Sequence, residues 1–511
     1  MSRRNVAALA LLLVAVVVYV AHAASFGVCL QDDAFITLRF SRFLAEGHGP
    51  IYNVGEYVEG YTNFSWTLLS AIPFWLGLDP PTFVLWLGYA SGVGALFAAA
   101  FLACTLVPER PASAGAAALL IATLPSFVAE SVMGLETAGF AALAVWAVAL
   151  FVREWRDGDR FPWSGAVLAA AAWTRPEGVM IAAMLWLCDA VDAWRMRSLG
   201  PIRVRRWLTF GIPVALHLAF RVWFYRDIVP NTFHAKVGGG VAALIRGAGY
   251  TGEFFSAAWP LALVAIVGAL WIGSDRQRRG NAAFMAVTIP LIYTLYVVYV
   301  GGDYKPTFRF YATPAMFLSA LGGVGVDVLA EWMTRGREKL RYVATVSLVI
   351  AAGATLLMTG EPARTFAKWR ADELPVHRAA GRWLKDHVAS GSLLATGNAG
   401  VLPYESGLPT LDMYGLCDRH IAMRVMPRMG LGPAGHEKGD GKYVLDRQPA
   451  IILIMRARFS DKPLSLAEIE KLRFSVGESE LWADTRFLRD YELISQRLPG
   501  FYFNYFKRRA S

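Results

Sequence analysis

Apolar runs of close to 20 residues recur along most of the chain, and they constrain its fold more than any other feature. Each is long enough to cross a hydrocarbon layer roughly 30 Å thick. Eleven segments of this kind are predicted, at 5–25, 82–106, 113–130, 138–152, 163–175, 178–193, 207–224, 254–273, 282–300, 311–332 and 342–359. Only 18% of the 511 residues are charged, against about 25% in typical soluble domains. The pattern predicts a polytopic α-helical membrane protein.

The first segment begins with two arginines and ends in Ala-His-Ala, as a signal peptide does. Its apolar run is longer than the usual signal sequence, and many further apolar segments follow. We therefore expect an uncleaved first span with a cytoplasmic N-terminus.

Basic residues in the short loops predict the orientation of the spans. If the short aromatic segment 64–78 does not cross, five loops are cytoplasmic and hold one, three, five, three and four Lys or Arg residues. They are 107–112, 153–162, 194–206, 274–281 and 333–341. A crossing by 64–78 would send these loops outside, against the positive-inside rule. We expect 64–78 to lie in the interface or to re-enter, and the C-terminal region to be periplasmic at a bacterial inner membrane.

The residues after the last apolar segment are much more polar. Strand-like runs "SLLAT" and "AIILIM", a helical pattern in "VHRAAGRWLKDHV" and turn signals in "TGNAGVLPYESGLP" alternate there. They predict an extracytoplasmic α/β domain over 360–511. It follows a membrane domain over 1–359, whose outer loop, 26–81, carries an acidic motif.

The acidic motif is Asp32-Asp33 in "LQDDAFITLRF", directly after the first span. Adjacent carboxylates can cap a helix, or one can act as a general base on a hydroxyl at the membrane edge while the other orients it. Other polar motifs fall on the same predicted side. Their candidate sugar- or acceptor-binding residues are Glu59, Tyr61, Asn63, Glu136, Asn231 and Asp303. Hydrogen bonds within loops, or a helix cap at Glu136, explain them equally well.

Four cations in these outer motifs could hold a phosphate: Lys236, Arg309, His234 and Arg175. Cations of this kind would stabilise the negative charge of a departing lipid phosphate. For Arg175 the alternative is an ion pair with Glu177 that ties the turn in "TRPEG". For the others it is an exposed or snorkelling position.

The outer motifs together resemble those of bacterial GT-C glycosyltransferases, which use polyprenyl-phosphate sugars. The matching stretches are "DDAFITLRFSRFLAEGHGPIYNVGEYVEGYTNFSW", "GLETA", "TRPEG", "PNTFHAK", "GGDYKPTFRFYATP", "GNAGVLPYESG", "DMYGLCDRHIA" and "GHEKGDGKYVL". The pattern is most similar to the terminal β-(1→2) arabinofuranosyltransferase (AftB) family. The resemblance implies a decaprenyl-phosphate arabinofuranose type of donor, a cell-envelope glycan acceptor, inversion at the anomeric carbon, and Asp32 as the base. Two departures, His234 for Tyr and Lys305 for an apolar residue, each add a cation.

Two other functions stay open at this stage. A GT-C enzyme could instead glycosylate an exported protein such as pilin, and a transporter would show inverted repeats and mid-membrane charges, which are not evident here. The net charge of +10 sits largely in the short loops and so does not indicate nucleic acid binding. The four cysteines have no metal-ligand spacing, although a Cys29–Cys417 disulfide and a divalent metal at the acidic motif both stay open.

Overall fold

The computed structural model describes residues 3–157, 161–236, 238–274, 281–427 and 429–509. It divides the chain into two compact units. The first, here the helical unit, comprises Met1–Cys29, Val84–Ala219 and Leu244–Lys368. The second, here the mixed unit, comprises Leu30–Phe83, Phe220–Ala243 and Trp369–Ser511.

All eleven predicted apolar segments are helical. The helices up to the last of these segments are α1 Arg3–Ser25, α2 Asp32–Ala45, α3 Phe64–Leu76, α4 Pro80–Leu106, α5 Ala112–Ala122, α6 Pro125–Ser131, α7 Thr137–Asp157, α8 Trp163–Thr174, α9 Glu177–Met196, α10 Pro201–Tyr225, α11 Asn231–Lys236, α12 Gly240–Ala257, α13 Trp259–Ser274, α14 Asn281–Val300, α15 Ala312–Thr334 and α16 Glu338–Met358. Seven of the described helices are long and apolar enough to cross a membrane, or up to nine spans if two bent pairs each count as one. A polytopic helical fold is therefore confirmed.

The bent pairs explain part of the difference from eleven straight spans. Helices α5 and α6 meet at 72°, and α12 and α13 at 86°. The predicted span 254–273 begins inside α12 and breaks before α13, where Pro260 cannot donate a helical hydrogen bond. Helix α8 has only 12 residues, about 18 Å at 1.5 Å per residue. The predicted span 163–175 is therefore a helix too short to cross. The predicted span 178–193 lies in α9, which has 20 residues but is not among the helices apolar enough to be candidate spans.

Several of the loop arginines that predict the orientation of the spans are buried in ion pairs of the helical unit. The Arg206 guanidinium lies 3.1 Å from Glu154 and 2.7 Å from Asp189, and Arg110 lies 3.0 Å from Asp327. Their charge is balanced locally rather than presented to lipid headgroups. Most of the basic loop 274–281 and part of 153–162 lie outside the described residues, so the orientation stays a prediction.

The mixed unit contains a six-stranded sheet, as the sequence pattern of the terminal region predicts. Its order is β2-β1-β3-β6-β4, with β5 also paired to β6. The strands are β1 Leu394–Thr396, β2 Thr410–Asp412, β3 Ile451–Ile452, β4 Phe459–Ser460, β5 Tyr491–Leu498 and β6 Phe501–Arg508, and the accompanying helices are α17 Glu361–His387, α18 Val401–Ser406, α19 Arg419–Met423, α20 Gly441–Asp446, α21 Leu466–Lys471, α22 Val476–Ala483 and α23 Thr485–Asp490. Strands β1–β3 are parallel and β3–β6 antiparallel. Two apolar clusters pack against this sheet.

The predicted domain boundary needs correction, because most of the outer loop 26–81 belongs to the mixed unit together with the C-terminal region. Arg39 of α2 accounts for much of this. Its side chain is 1% exposed, and it donates to the carbonyls of Pro403 at 2.5 Å and Leu408 at 2.8 Å. It also donates to the Tyr52 carbonyl at 2.8 Å. A buried guanidinium needs such partners, and here they come from both segments.

Helix α3 also lies in the mixed unit. It has 13 residues, about 20 Å of helix, which is shorter than the hydrocarbon layer.

None of the four cysteines forms a disulfide, and Cys29 and Cys417 are buried.

Replacing Arg39 with lysine is expected to destabilise the mixed unit. A single ammonium group cannot reach all the acceptors of the guanidinium fork, so buried carbonyls lose their partners, at roughly 3 kcal/mol. The melting temperature of the purified protein in detergent micelles measures this. Arg497→Lys, at an exposed position of β5, is the matched control, and equal melting temperatures for the two variants would contradict the role of Arg39.

Candidate functional site

Asp32 is the first residue of α2, and its side chain binds a distant part of the mixed unit. The preceding residue, Gln31, is the extended N-cap and makes no side-chain cap hydrogen bond. Asp32 instead accepts the backbone N–H of Gly400 at 3.0 Å and of Val401 at 2.9 Å, one on each carboxylate oxygen. These amides open α18, where a carboxylate is favoured by the helix dipole. The cap of α2 is Gln31, so the alternative that Asp32 caps the following helix is wrong, and the carboxylate instead meets a helix start 368 residues away.

Gly400 is required by the close approach of the two segments. A Cβ atom at this position would lie 1.9 Å from the carbonyl oxygen of Asp32 and 2.7 Å from its carboxylate carbon. Any side chain would push Asp32 out of place. Gly400, the second glycine of "GNAG", thus allows Asp32 to occupy its position.

The substitution Gly400→Ala is expected to break the bonds between Asp32 and the α18 amides, and to cost roughly 2 kcal/mol of stability through overpacking. Hydrogen exchange followed by mass spectrometry should become faster in the peptide that contains Val401. The control is Gly407→Ala at the other end of α18, where φ is +70° and a Cβ meets nothing within 4 Å. The Gly407→Ala variant is destabilised by backbone strain at its positive φ, but it should leave hydrogen exchange at Val401 unchanged. Slow exchange at Val401 in both variants would contradict the prediction.

A buried charged group lies next to Asp32, and the sequence motifs did not indicate it. The Arg370 guanidinium pairs with Glu373 at 2.9 Å and is 4% exposed. It also lies 3.5 Å from the Leu30 carbonyl and attracts the Asp32 carboxylate. Burial raises the pKa of Asp32 above its usual range, while the Arg370 charge and the Val401 amide oppose the rise.

His377 and Arg458 extend this group. The Nδ1 atom of His377 lies 2.9 Å from the Glu373 carbonyl and must carry the proton, so Nε2 accepts from Arg458 at 2.9 Å. Burial, reinforced by Arg458, lowers the pKa of His377 well below its usual value. The imidazole is therefore neutral and orients Arg458, whose charge also acts on Asp32.

A sequence signal for this group did exist. Arg370 and His377 fall on the same helical face as the buried residues Leu374 and Leu384 of α17. Polar residues that interrupt the apolar stripe of an amphipathic helix are unusual, and they mark a buried polar network.

The other predicted residues of the mixed unit are held in hydrogen bonds within that unit, most of them to segments remote in the chain. Glu59 accepts from Arg221 at 2.6 Å, and burial raises the pKa of Glu59 to about 7 against the opposing effect of Arg221. Tyr61 bonds Tyr225 at 3.1 Å. The further bonds are Asn63 to Thr37 at 3.1 Å and Asn231 to the carbonyls of Gly415 and Leu416 at 2.9 Å. Only the Asn63 bond lies within the outer loop, as the loop alternative expects. Sugar binding by these residues stays a prediction.

Of the predicted phosphate-binding cations, two lie in the mixed unit near the start of α12. His234 bonds Asp227 through Nε2 at 3.1 Å, whereas Lys236 at the end of α11 is exposed to solvent. Lys236 is therefore the more accessible of the two.

The remaining predicted residues lie in the helical unit, where the cations are paired with the acids. Arg175 pairs with Glu136 and Glu177, each at 2.8 Å, which is the ion-pair alternative extended to a second carboxylate. Arg309 lies 2.6 Å from Asp303. Two carboxylates already neutralise the Arg175 guanidinium, so the contacts favour a structural role for it over phosphate binding.

Lys305 does not add an exposed cation, contrary to the sequence-based expectation. Its side chain is 1% exposed, and it is attracted to Glu130, which is fully buried. Glu130 also accepts from Thr307 at 2.5 Å. The lysine therefore compensates a buried carboxylate that the motif analysis did not single out.

The described residues form no side-chain metal cluster. Among these residues, no group of three or more His, Cys, Asp or Glu side chains is arranged to hold a metal ion. The arginines around Asp32 already supply positive charge there.

Comparisons with known proteins place this geometry in a known fold. The model agrees with ArnT from Cupriavidus metallidurans bound to undecaprenyl phosphate at a TM-score of 0.54 and 12% identity, covering 79% of this chain and 85% of that one. It agrees with the Archaeoglobus fulgidus oligosaccharyltransferase in complex with Zn and sulfate at a TM-score of 0.55 and 13% identity, covering 97% and 72%. The chain has the GT-C fold.

Sequence comparison narrows the relationship within GT-C proteins. The chain is 27% identical over 334 residues to the terminal β-(1→2)-arabinofuranosyltransferase of Mycobacterium tuberculosis, covering 60% of this chain and 49% of that protein. It thus spans about half the length of the curated relative it matches. A family model described as a domain of unknown function, DUF8728, matches residues 366–508. The resemblance to a GT-C, AftB-like protein is confirmed, and DUF8728 includes Arg370, Gly400 and Arg458.

Proposed function

We propose that this GT-C protein is a membrane glycosyltransferase that moves a sugar from a polyprenyl-phosphate donor to a hydroxyl group of a cell-envelope glycan. The observation that carries the proposal is Asp32, an acidic side chain anchored by the Gly400 and Val401 amides next to Asp33. The GT-C fold and the similarity to an arabinofuranosyltransferase support it. The undecaprenyl phosphate bound to ArnT supports the donor class. By the same similarity we propose arabinofuranose as the sugar and the periplasmic face as the side of reaction.

In the proposed reaction Asp32 removes the proton of the acceptor hydroxyl. The hydroxyl oxygen forms a bond to the anomeric carbon while the bond from that carbon to the phosphate oxygen breaks. The lipid phosphate leaves with the electron pair, and a single displacement inverts the anomeric carbon. A carboxylate has about four lone-pair positions, so two amide bonds leave Asp32 able to accept a proton. The same bonds hold the carboxylate in one orientation, as general-base catalysis requires.

The donor phosphate needs a cation, and we propose Lys236 for that role. It is exposed and belongs to the same unit as Asp32, whereas the Arg175 side chain is only 11% exposed. Arg309 and His234 stay secondary candidates because their side chains are only 16% and 24% exposed.

The base assignment is tested with two variants of the acidic motif. Asp32→Asn is expected to lower sugar transfer by about 10²- to 10⁴-fold, the usual contribution of a general base. Asp33→Asn is expected to cost much less. Transfer is measured with purified protein and a panel of radiolabelled polyprenyl-phosphate sugars. A larger loss in Asp33→Asn would move the base to Asp33, and no transfer from any donor of the panel by the parent protein would refute the proposed function.

The pH dependence of transfer tests the charged group beside Asp32. Arg370 lowers the pKa of Asp32, so Arg370→Gln should raise that pKa. A base works in its ionised form, and transfer therefore increases with pH through the pKa. The acid limb of kcat/KM should move to higher pH in this variant.

Arg382→Gln is the control for Arg370, since it changes an arginine of the same helix that is 59% exposed. Its acid limb should coincide with that of the parent. A lower rate in Arg370→Gln without any shift of the limb would assign Arg370 a purely structural role.

A further inference from the structure

The segment from Met423 to Leu431 in the mixed unit is unusually apolar for a loop outside the spans. It reads "MRVMPRMGL". Val425 is 88% exposed and Leu431 is 73% exposed. Exposed apolar side chains grouped in one segment mark a surface that meets a partner or a membrane. Arg428 lies outside the described residues.

This loop packs against the segment that follows α10. A Cβ atom on Gly239 would lie only 2.7 Å from the Cα of Gly430, and one on Gly238 would lie 3.4 Å from the Cβ of Met429. The loop is therefore in backbone contact with 238–239, and only glycine permits such an approach at Gly239.

The segment that follows α10, residues 226–239, is connected at each end to a helix that belongs to a candidate membrane span. It joins α10, a candidate span that ends at Tyr225, to α12, which starts at Gly240 and forms a bent candidate span with α13. It carries its own exposed apolar side chains, with Ile228 66% exposed and Phe233 48% exposed. Both ends of this segment are therefore joined to helices that are candidates for crossing the membrane, and the loop from the C-terminal region packs against the segment.

We propose that the described residues of loop 423–431 and of segment 226–239, which leave out Arg428 and Val237, form one membrane-contact surface, whose apolar side chains enter the headgroup–acyl boundary of the adjacent lipid leaflet. Surfaces that lie in this boundary combine apolar side chains with basic ones that meet anionic headgroups. Here the exposed Arg226 and Lys236 accompany the apolar group. The lipid is favoured over a protein partner because the segment that carries half of the surface is linked to two spans.

Depth-dependent fluorescence quenching tests this surface independently of any transferase activity. Single cysteines are introduced as Val425→Cys and Leu431→Cys in the full-length protein, labelled with an environment-sensitive fluorophore and reconstituted into phosphatidylcholine–phosphatidylglycerol liposomes. The parent protein gives the background from its own thiols. The control is Leu466→Cys, at a position of α21 in the same unit that is 44% exposed.

Lipids spin-labelled near the headgroup should quench the probe at Val425→Cys and Leu431→Cys at least about twofold more than at Leu466→Cys, as interfacial insertion requires. Aqueous iodide should show the opposite order. If iodide quenched the probes at Val425→Cys and Leu431→Cys as strongly as the probe at Leu466→Cys, the proposal would be overturned. Shielding from both quenchers would also overturn it, and would indicate a protein or a second copy of the chain on this surface.

Discussion

The buried guanidinium of Arg39 is the interaction on which the mixed unit depends. It sits in the first outer loop, yet two of its acceptors are carbonyls of Pro403 and Leu408 in the C-terminal region. Asn53 of the same loop adds bonds to the carbonyl and the N–H of Thr410. Since an unpartnered buried guanidinium would be very costly, the loop and the C-terminal region can only fold as one unit. This is why the acidic motif takes its geometry from residues that follow it by more than 300 positions.

The C-terminal region is therefore part of the candidate catalytic site. It supplies the amides that hold Asp32, the glycine that allows the approach, and the group formed by Arg370, Glu373, His377 and Arg458. All four of these side chains fall within the stretch matched by the DUF8728 model. Its clearest role in the contacts is to orient the Asp32 carboxylate and to place positive charge beside it.

Much of the fold follows from local patterns, and the exceptions have physical reasons. The helices lie where apolar runs predict them because length and hydropathy act within a segment. The bend before α13 and the short α8 depend on packing and on Pro260, which the hydropathy pattern does not record. Motif analysis found Asp32, Asp33 and the paired residues Arg175 and Glu177. It did not find Arg221, the partner of Glu59, or Glu130, the partner of Lys305, because an ion pair between distant segments leaves no spacing in the chain.

The amino-acid sequence by itself determined that this is a helical membrane protein with a polar C-terminal α/β region, because burial of apolar runs in lipid and strand alternation are properties of short segments. It also determined that an acidic pair follows the first span. Only the tertiary structure decided what that pair contacts. The two amides on Asp32, the charges of Arg370 and Arg458 and the ion pair of Arg175 with Glu136 all join residues remote in the chain. The strength of such contacts depends on distance and burial in three dimensions.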